Sequence, residues 1–178
     1  QSKFIKFPWL KDKKSLVTWK HGKTGIPIVD AGMKELYEMG WMHNRVRMIV
    51  GSFLTKNLLL HWKEGERWFF DTLVDADIGS NSAGWQWISG SGADASPYFR
   101  IFNPILQGKK FDPRGEYVKK FIPSLNKIPE KFIHSPWEMT IDEQEKYNFK
   151  LGRDYPKPIV DLSDTRKRAL TAFKKISV

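Results

Sequence analysis

Hydrophobic positions recur every three to four residues along the first half of the chain, which is the spacing of an amphipathic helix. This spacing predicts helices over residues 28–39, 42–61 and 64–74, and Gly40 is typical of a residue that ends a helix. The sequence shows no clear strand, hairpin or internal repeat, so an all-α fold is predicted. In the third helix, four residues are expected to point inward: Phe69, Phe70, Leu73 and Val74.

Turn and helix-start signals dominate the second half of the chain. Asp112 is followed by a proline, which is typical of a helix start, and the helix it opens is expected to end at Pro123. Five prolines within residues 123–160 predict an extended loop that wraps on a surface. Ser163 is expected to cap a last basic helix that ends near residue 175.

Length and composition indicate one domain with a packed core and an anionic partner. The 178 residues carry a net charge of +10, and 14% of them are aromatic. Because bases stack on rings and phosphates pair with Lys and Arg, nucleic acid is the expected partner, with a solvated basic surface as the alternative. No apolar run approaches the ~18 residues of a membrane span, and no metal-ligand or hydrolase motif is present. The lack of cysteine fits a reducing compartment, and we expect a cytoplasmic protein.

Two stretches carry more polar and aromatic residues than packing requires. Residues 75–108 are predicted to be a polar loop in which small residues lie beside large rings, as suits a close approach to a flat ligand. Asp75 and Asp77 in this loop either accept hydrogen bonds from a ligand, pair with a cation such as Arg47, or serve only as turn residues.

Residues 41–48 place charged and amide groups at a predicted helix start, where free N–H groups favour anions. Arg45 suits a phosphate, and Met48, on the same helix face as Asn44, suits contact with a base. An exposed arginine and a core methionine are the alternative. Four tryptophans are core anchors, stacking platforms or electron relays, and core packing is the default: Trp9, Trp62, Trp85 and Trp87.

The sequence resembles the photolyase/cryptochrome family over most of its length. The motifs that carry this resemblance are residues 24–31, 40–48, 73–77, 81–87 and 98–104. The resemblance implies the C-terminal half of the all-helical FAD-binding domain. Residues 1–178 are therefore expected to be a fragment of a longer protein, without the N-terminal antenna domain and the first half of the FAD domain.

The resemblance also implies FAD as the cofactor and assigns roles to residues, with no metal. Family positions at the flavin correspond to Trp41, Asn44, Arg47, Asp75, Ala76, Asp77 and Asn81. Arg47 would pair with the acidic loop, and Asn81 would face flavin N5. The electron-transfer chain, from proximal to surface, corresponds to Trp85, Trp62 and Trp9. Positions at DNA or at the flipped-out lesion correspond to Asn44, Arg45, Met48, Trp87, Arg100, Asn103 and Pro104.

The function implied is light-driven repair of cyclobutane pyrimidine dimers in DNA by electron transfer from reduced FAD. Met48, Asn81 and the Trp85-Gln86-Trp87 run resemble the class I dimer photolyases. The expected partners are DNA with pyrimidine dimers and the rest of the photolyase chain, and the isolated fragment is expected to be inactive. The alternatives are a cryptochrome photoreceptor with the same cofactor and a helical nucleic-acid-binding domain without a cofactor.

Overall fold

The computed structural model describes residues 2–92, 96–98 and 100–176, and Phe99 of the 98–104 motif lies outside these ranges. The described residues form helices and no strand, as predicted. The α-helices are α1 Lys13–Lys20, α2 Pro27–Met39, α3 Asn44–Ser52, α4 Trp62–Thr72, α5 Ile78–Ser89, α6 Pro104–Phe111, α7 Glu116–Phe121, α8 Ile141–Lys146 and α9 Leu162–Lys174. Short 3₁₀ helices lie at Ser2–Lys6, Pro123–Lys127, Glu130–Phe132 and Pro136–Glu138. No helix in these ranges is both long and apolar enough to cross a membrane.

Helix α2 forms the centre of the core and agrees with the prediction. Its Val29, Met33 and Leu36 are all fully buried, because the three- to four-residue spacing places them on one face. Gly40 ends the helix in the left-handed conformation, with φ +64°. A side chain is rarely tolerated there, which is why glycine follows the helix.

The single helix predicted over residues 42–61 is wrong. Helix α3 ends at Ser52 and passes into a π-helical turn, Phe53–Asn57, in which Leu58 N–H donates to the Phe53 carbonyl at 3.0 Å. Leu59 then takes a positive φ of 52°. Every residue from 49 to 60 is buried, so the apolar pattern runs on without marking where the helix stops.

Helix α4 begins two residues earlier than predicted, and only one of its apolar faces lies in the core. Phe69 and Leu73 are buried, whereas Phe70 is 45% exposed and Val74, just past the helix, is 81% exposed. Phe69 and Phe70 are neighbours on α4 and point about 100° apart, whereas Leu73 and Val74 lie past the end of the helix, where Leu73 has an extended backbone. The expectation that all four point inward is wrong for Phe70 and Val74.

The polar loop predicted over residues 75–108 is wrong for residues 78–89, which form α5. Asp77 is the N-cap, and its Oδ1 accepts a hydrogen bond from the Ser80 amide at 2.7 Å. Gly, Ser and Asn have low helix propensity, but burial of Trp85 and Ile88 overrides it. Part of the remainder is also helical, since α6 occupies Pro104–Phe111.

Asp112 does not begin a helix as predicted; it ends α6, and Gly115 is the N-cap of α7. Its carboxylate nevertheless accepts hydrogen bonds from the Tyr117 and Val118 amides, both at 3.1 Å. The aspartate therefore stabilises the start of α7 across a turn rather than as its N-cap.

The proline-rich segment and the last helix also differ from their predictions. Residues 123–160 contain three 3₁₀ helices and α8, which Thr140 and Glu143 begin with a reciprocal capping box. Helix α9 starts at Leu162 and is capped by Asp161, whose Oδ1 accepts the Asp164 amide at 2.8 Å, rather than by Ser163.

A buried carboxylate joins the proline-rich segment to α2. Asp30 is fully buried and accepts hydrogen bonds from the Thr24 amide (2.7 Å) and hydroxyl (2.6 Å), the Gly25 amide (2.9 Å) and the Tyr155 hydroxyl (2.6 Å). Burial raises the pKa of Asp30, and these donors act in the opposite direction. The Ile159 amide also donates to the Thr24 carbonyl at 2.9 Å, so residues 155–159 are held against the start of α2.

We expect Tyr155→Phe to lower the free energy of unfolding by ~1–3 kcal/mol, because it removes one donor from a buried carboxylate. Tyr37→Phe is the matched control, since Tyr37 is 67% exposed and its substitution should change stability by less than ~0.5 kcal/mol. Urea unfolding followed by circular dichroism measures both. Equal effects of the two substitutions would contradict the role given to the Asp30 cluster.

Candidate functional site

A cavity of about 560 Å³ lies between α3, the α4–α5 connection and α5. This volume is within the range of small-molecule sites. The predicted site residues that line it are Asn44, Arg47, Met48, Asp75, Ala76, Asp77, Asn81, Trp85 and Trp87. The sequence reasoning missed the other lining residues, which are Phe69, Leu73, Ser80, Gly84 and Ile88. Positions 84 and 88 continue the helical spacing of the predicted residues 77 and 81, so a helix assignment for residues 78–89 would have found Gly84 and Ile88.

Helix α5 supplies the polar edge of the cavity from its first two turns. The hydrogen bonds from Ser80 lower the pKa of Asp77, so this carboxylate is ionised at neutral pH. Asn81 Nδ2 donates to the Glu66 carbonyl of α4 at 2.9 Å. With its amide nitrogen used in this way, the Asn81 side-chain oxygen is the atom left to accept a hydrogen bond from a ligand.

Arg47 and Asp75 form an ion pair at the cavity wall. Arg47 Nη2 lies 3.2 Å from Asp75 Oδ2 and 3.4 Å from Oδ1. Arg47 Nε also donates to the Met42 carbonyl at 2.7 Å, where α3 begins. The guanidinium is thereby fixed by the backbone on one side, and it in turn orients the carboxylate of the 73–77 connection.

Trp85 forms the back of the cavity and is only 4% exposed. Its indole packs on Gly65 of α4 so closely that a β-carbon there would lie 2.2 Å from the ring. A β-carbon on Gly51 of α3 would lie 3.4 Å from the same ring. Phe69 makes an edge-to-face contact with it, at 4.9 Å between ring centroids. The missing side chain at Gly65 thus allows α4 and α5 to approach closely at the indole, whereas a β-carbon on Gly51 would make only an ordinary contact with it.

The other two tryptophans of the expected electron-transfer chain lie outside the cavity and are linked by a histidine. Trp62 is the first residue of α4, one turn before Gly65. The His61 ring lies 5.5 Å from the Trp62 ring and 5.1 Å from the Trp9 ring, centroid to centroid. Burial and Lys63 lower the pKa of His61, so its ring is neutral at pH 7. The sequence analysis did not select His61, because Trp9 is distant from it along the chain and only the fold brings these two rings together.

The remaining predicted residues do not line this cavity. Trp41 is 45% exposed, and Arg100 is exposed. Asn103 Oδ1 accepts hydrogen bonds from the amides of Ile105 and Leu106, at 3.0 and 3.2 Å, so it caps α6. Pro104 is buried at the first position of that helix, and Arg45 lies over the ring of Phe111.

The cavity fits a flat heteroaromatic group such as the ring system of FAD. A β-carbon on Gly84 would meet no atom within 4 Å, so this glycine leaves space open toward the cavity. Apolar walls from Phe69, Leu73 and Ile88 face carboxylate and amide oxygens on α5 and the connection before it. Such a combination holds an aromatic ring and satisfies the N–H groups on its edge. Across the described ranges, no cluster of three or more His, Asp or Glu side chains has the arrangement of a metal site.

Comparison with known proteins identifies a family. Residues 1–175 match the family described as the FAD binding domain of DNA photolyase. The chain is 58% identical over 173 residues to a deoxyribodipyrimidine photo-lyase of Agrobacterium fabrum, covering 97% of this chain and 36% of that protein. It is 46% identical over 169 residues to cryptochrome-2 of Arabidopsis thaliana, covering 95% of this chain and 28% of that protein. The crystal structure of a class III photolyase from Agrobacterium tumefaciens matches with a TM-score of 0.96 at 56% identity, covering 99% of this chain and 37% of that one.

We expect Gly65→Ala to destabilise the protein by ~1–3 kcal/mol, because the added carbon overlaps the Trp85 ring and must displace it. Gly84→Ala is the matched control on α5. It meets no atom and should stabilise the helix by ~0.5–1 kcal/mol, while its methyl group narrows the cavity and weakens FAD binding.

Thermal unfolding without FAD measures the effect of each substitution on stability. A flavin titration followed by fluorescence measures the effect on FAD binding separately. If Gly65→Ala leaves stability unchanged, the close packing of Trp85 on α4 is not the constraint described here.

Proposed function

The chain belongs to the family of FAD-binding domains of DNA photolyases, and we propose that the protein it forms or belongs to repairs cyclobutane pyrimidine dimers in DNA under light. One observation carries the proposal. A single cavity brings the Arg47–Asp75 pair, Asn81 and Trp85 together with Met48 and Trp87 at its edge. The first group suits a flavin and the second suits a base that has left the DNA stack.

FAD is the cofactor of this family, and when bound it would supply the light-driven one-electron chemistry of the repair. The residues that would hold it are the cavity-lining set Asn44, Arg47, Asp75, Ala76, Asp77 and Asn81. Arg47 fixes the Asp75 carboxylate, Asn81 offers a hydrogen-bond acceptor, and the apolar walls exclude water. The protein's contribution is therefore geometry and a dry environment rather than acid–base chemistry.

Met48 and Trp87 would contact the lesion. Trp87 lines the cavity from α5 and is 38% exposed, so part of its side chain is available for stacking on a base. Met48 adds a polarizable apolar contact from α3. Photolyases extrude their target nucleotide from the duplex, and extrusion costs least for a damaged, poorly paired base. A net charge of +10 supports sequence-independent attachment to the DNA backbone.

A tryptophan chain would deliver electrons to the cavity from the surface. Trp85 lies at the cavity, Trp62 follows on α4, and Trp9 lies beyond His61. Ring contacts join Trp9, His61 and Trp62, and Trp85 packs on Gly65 one helical turn after Trp62, so an electron could move inward in short steps. We assign these three tryptophans as the proximal, middle and surface members of the chain.

The chain spans about a third of the length of the relatives it matches, 36% and 37% in two of them. We therefore propose that it is the C-terminal part of a photolyase FAD domain and that the remaining part completes the flavin pocket. Met48 and Asn81 favour class I, but a class III photolyase has been solved at 56% identity, which weakens that assignment. Dimer repair is proposed without a commitment to either class.

A cryptochrome photoreceptor is the second candidate, because a cryptochrome is 46% identical over 95% of this chain. The test is to illuminate the reduced natural full-length protein with an oligonucleotide that carries one thymine dimer, and to follow the recovery of thymine absorbance. Light-dependent recovery is expected. Bound flavin without recovery would favour the photoreceptor, and absence of flavin would favour a cofactor-free nucleic-acid-binding domain.

The assignment of Trp85 predicts that Trp85→Phe strongly slows photoreduction of the oxidised flavin while flavin content is retained. Phenylalanine keeps most of the ring packing but is much harder to oxidise than an indole. Trp68→Phe on α4 is the matched control, since Trp68 is partly buried but lies outside the Trp85, Trp62 and Trp9 series. Unchanged photoreduction in Trp85→Phe, measured by loss of visible flavin absorbance, would exclude Trp85 as the proximal donor.

A further inference from the structure

Two arginines on α3 have very different surroundings although they are only two positions apart. Arg47 is committed to the Met42 carbonyl and the Asp75 carboxylate. The Arg45 side chain instead touches two soft groups: its guanidinium carbon lies 4.8 Å from the centre of the Phe111 ring, and its Nη1 lies 4.0 Å from Met48 Sδ. Over the part of the chain that the structure describes, no carboxylate pairs with Arg45.

These contacts fix the position of the Arg45 guanidinium but do not satisfy the hydrogen-bonding capacity of its N–H groups. A ring face attracts the positive charge but accepts no conventional hydrogen bond, and a thioether is a weak acceptor at 4.0 Å. A guanidinium has five N–H donors in a planar fork that matches the oxygens of a phosphate. Arg45 therefore keeps its charge and its donors for an external anion, beside a methionine that lines the cavity.

The ring of Phe111 also contacts a second cation, the ammonium group of Lys110. Lys110 Nζ lies 5.3 Å from the centre of the same ring. The ring is 49% exposed, so it contributes less to the core than a buried phenylalanine would. Its position is fixed by the helix that carries it, because Gly108 packs on the buried His134 ring so closely that a β-carbon there would lie 2.3 Å from Nδ1.

We propose that Phe111 is a positioning residue that holds Arg45 and Lys110 as a phosphate-binding pair at the edge of the cavity. The partner is the phosphate backbone of DNA, so this inference rests on the proposed function. The pair contacts backbone rather than bases, and it should therefore strengthen binding to damaged and undamaged DNA alike. Trp87, which would touch the lesion itself, should contribute more to the binding of damaged DNA than to the binding of undamaged DNA.

The experiment measures the affinity of the natural full-length protein for two duplexes, one with a single thymine dimer and one undamaged, at several salt concentrations. Phe111→Leu keeps an apolar side chain but removes the ring. It should weaken binding to both duplexes by about two- to fivefold for each cation that loses its contact. Phe111→Tyr keeps the ring and should bind as the unchanged protein does. Trp87→Ala should weaken binding to the damaged duplex more than to the other.

A double-mutant cycle with Arg45→Gln separates positioning from a general effect on the fold. Arg45→Gln should reduce the slope of log affinity against log salt by about one, as expected for one lost phosphate contact. Adding Phe111→Leu to it should then cost less than in the unchanged protein, because only the Lys110 contact is left to lose.

Three results would overturn the inference. They are unchanged affinity in Phe111→Leu, an equal loss in Phe111→Tyr, and an undiminished loss in the Arg45→Gln background. The melting temperature of each variant shows whether a loss of DNA affinity reflects unfolding. If Arg45→Gln unfolds the protein, the double-mutant cycle is repeated with Lys110→Gln in its place. If the unchanged protein bound neither duplex, the proposed function itself would fail, and that outcome is distinct from a defect confined to Phe111.

Discussion

The packing of the Trp85 indole against Gly65 sets how closely α4 and α5 approach one another. Gly65 has no side chain, so the ring lies directly on the backbone of α4, while a β-carbon on Gly51 of α3 would make only an ordinary contact with the same ring. That approach places Arg47 and Asn81 on walls of one cavity. The same indole also faces the helix that begins with Trp62, so a single contact shapes the pocket and connects it to the expected electron path. Any larger residue at Gly65 would separate these elements.

Charge is divided between groups that build the structure and groups that stay available to a partner. Asp30 uses its carboxylate to hold the distant Tyr155 against α2, and Asp112 uses its carboxylate to stabilise the start of the next helix, α7. Arg47 likewise has a structural partner, because its guanidinium forms an ion pair with the Asp75 carboxylate. Arg45 is held only by a ring and a thioether. A positively charged surface binds a polyanion through groups of the second kind, so the net charge of +10 does not by itself identify the groups that take part.

Local patterns predicted some elements and failed on others for identifiable reasons. Helix α2 was predicted closely because its apolar face and its terminal glycine are both local signals. The break after Ser52 was missed because residues 49–60 are buried on every side, which removes the contrast between faces. Helix α5 was read as a loop because its glycines, serines and asparagine have low propensity, and only the burial of Trp85 and Ile88 makes the helix stable.

The sequence by itself determined the all-α class, the family resemblance and most of the residues that line the cavity, because those depend on residue types and spacings that motifs preserve. Only the tertiary structure decided which of these groups are free to act. Arg45 and Arg47 are chemically identical and two positions apart, yet Arg47 forms an ion pair with Asp75 whereas Arg45 lies over the ring of Phe111. His61 likewise contacts its neighbour Trp62 and the distant Trp9, and only the fold brings the Trp9 ring to it. Contacts between residues far apart in sequence depend on how helices pack, and local patterns carry no record of them.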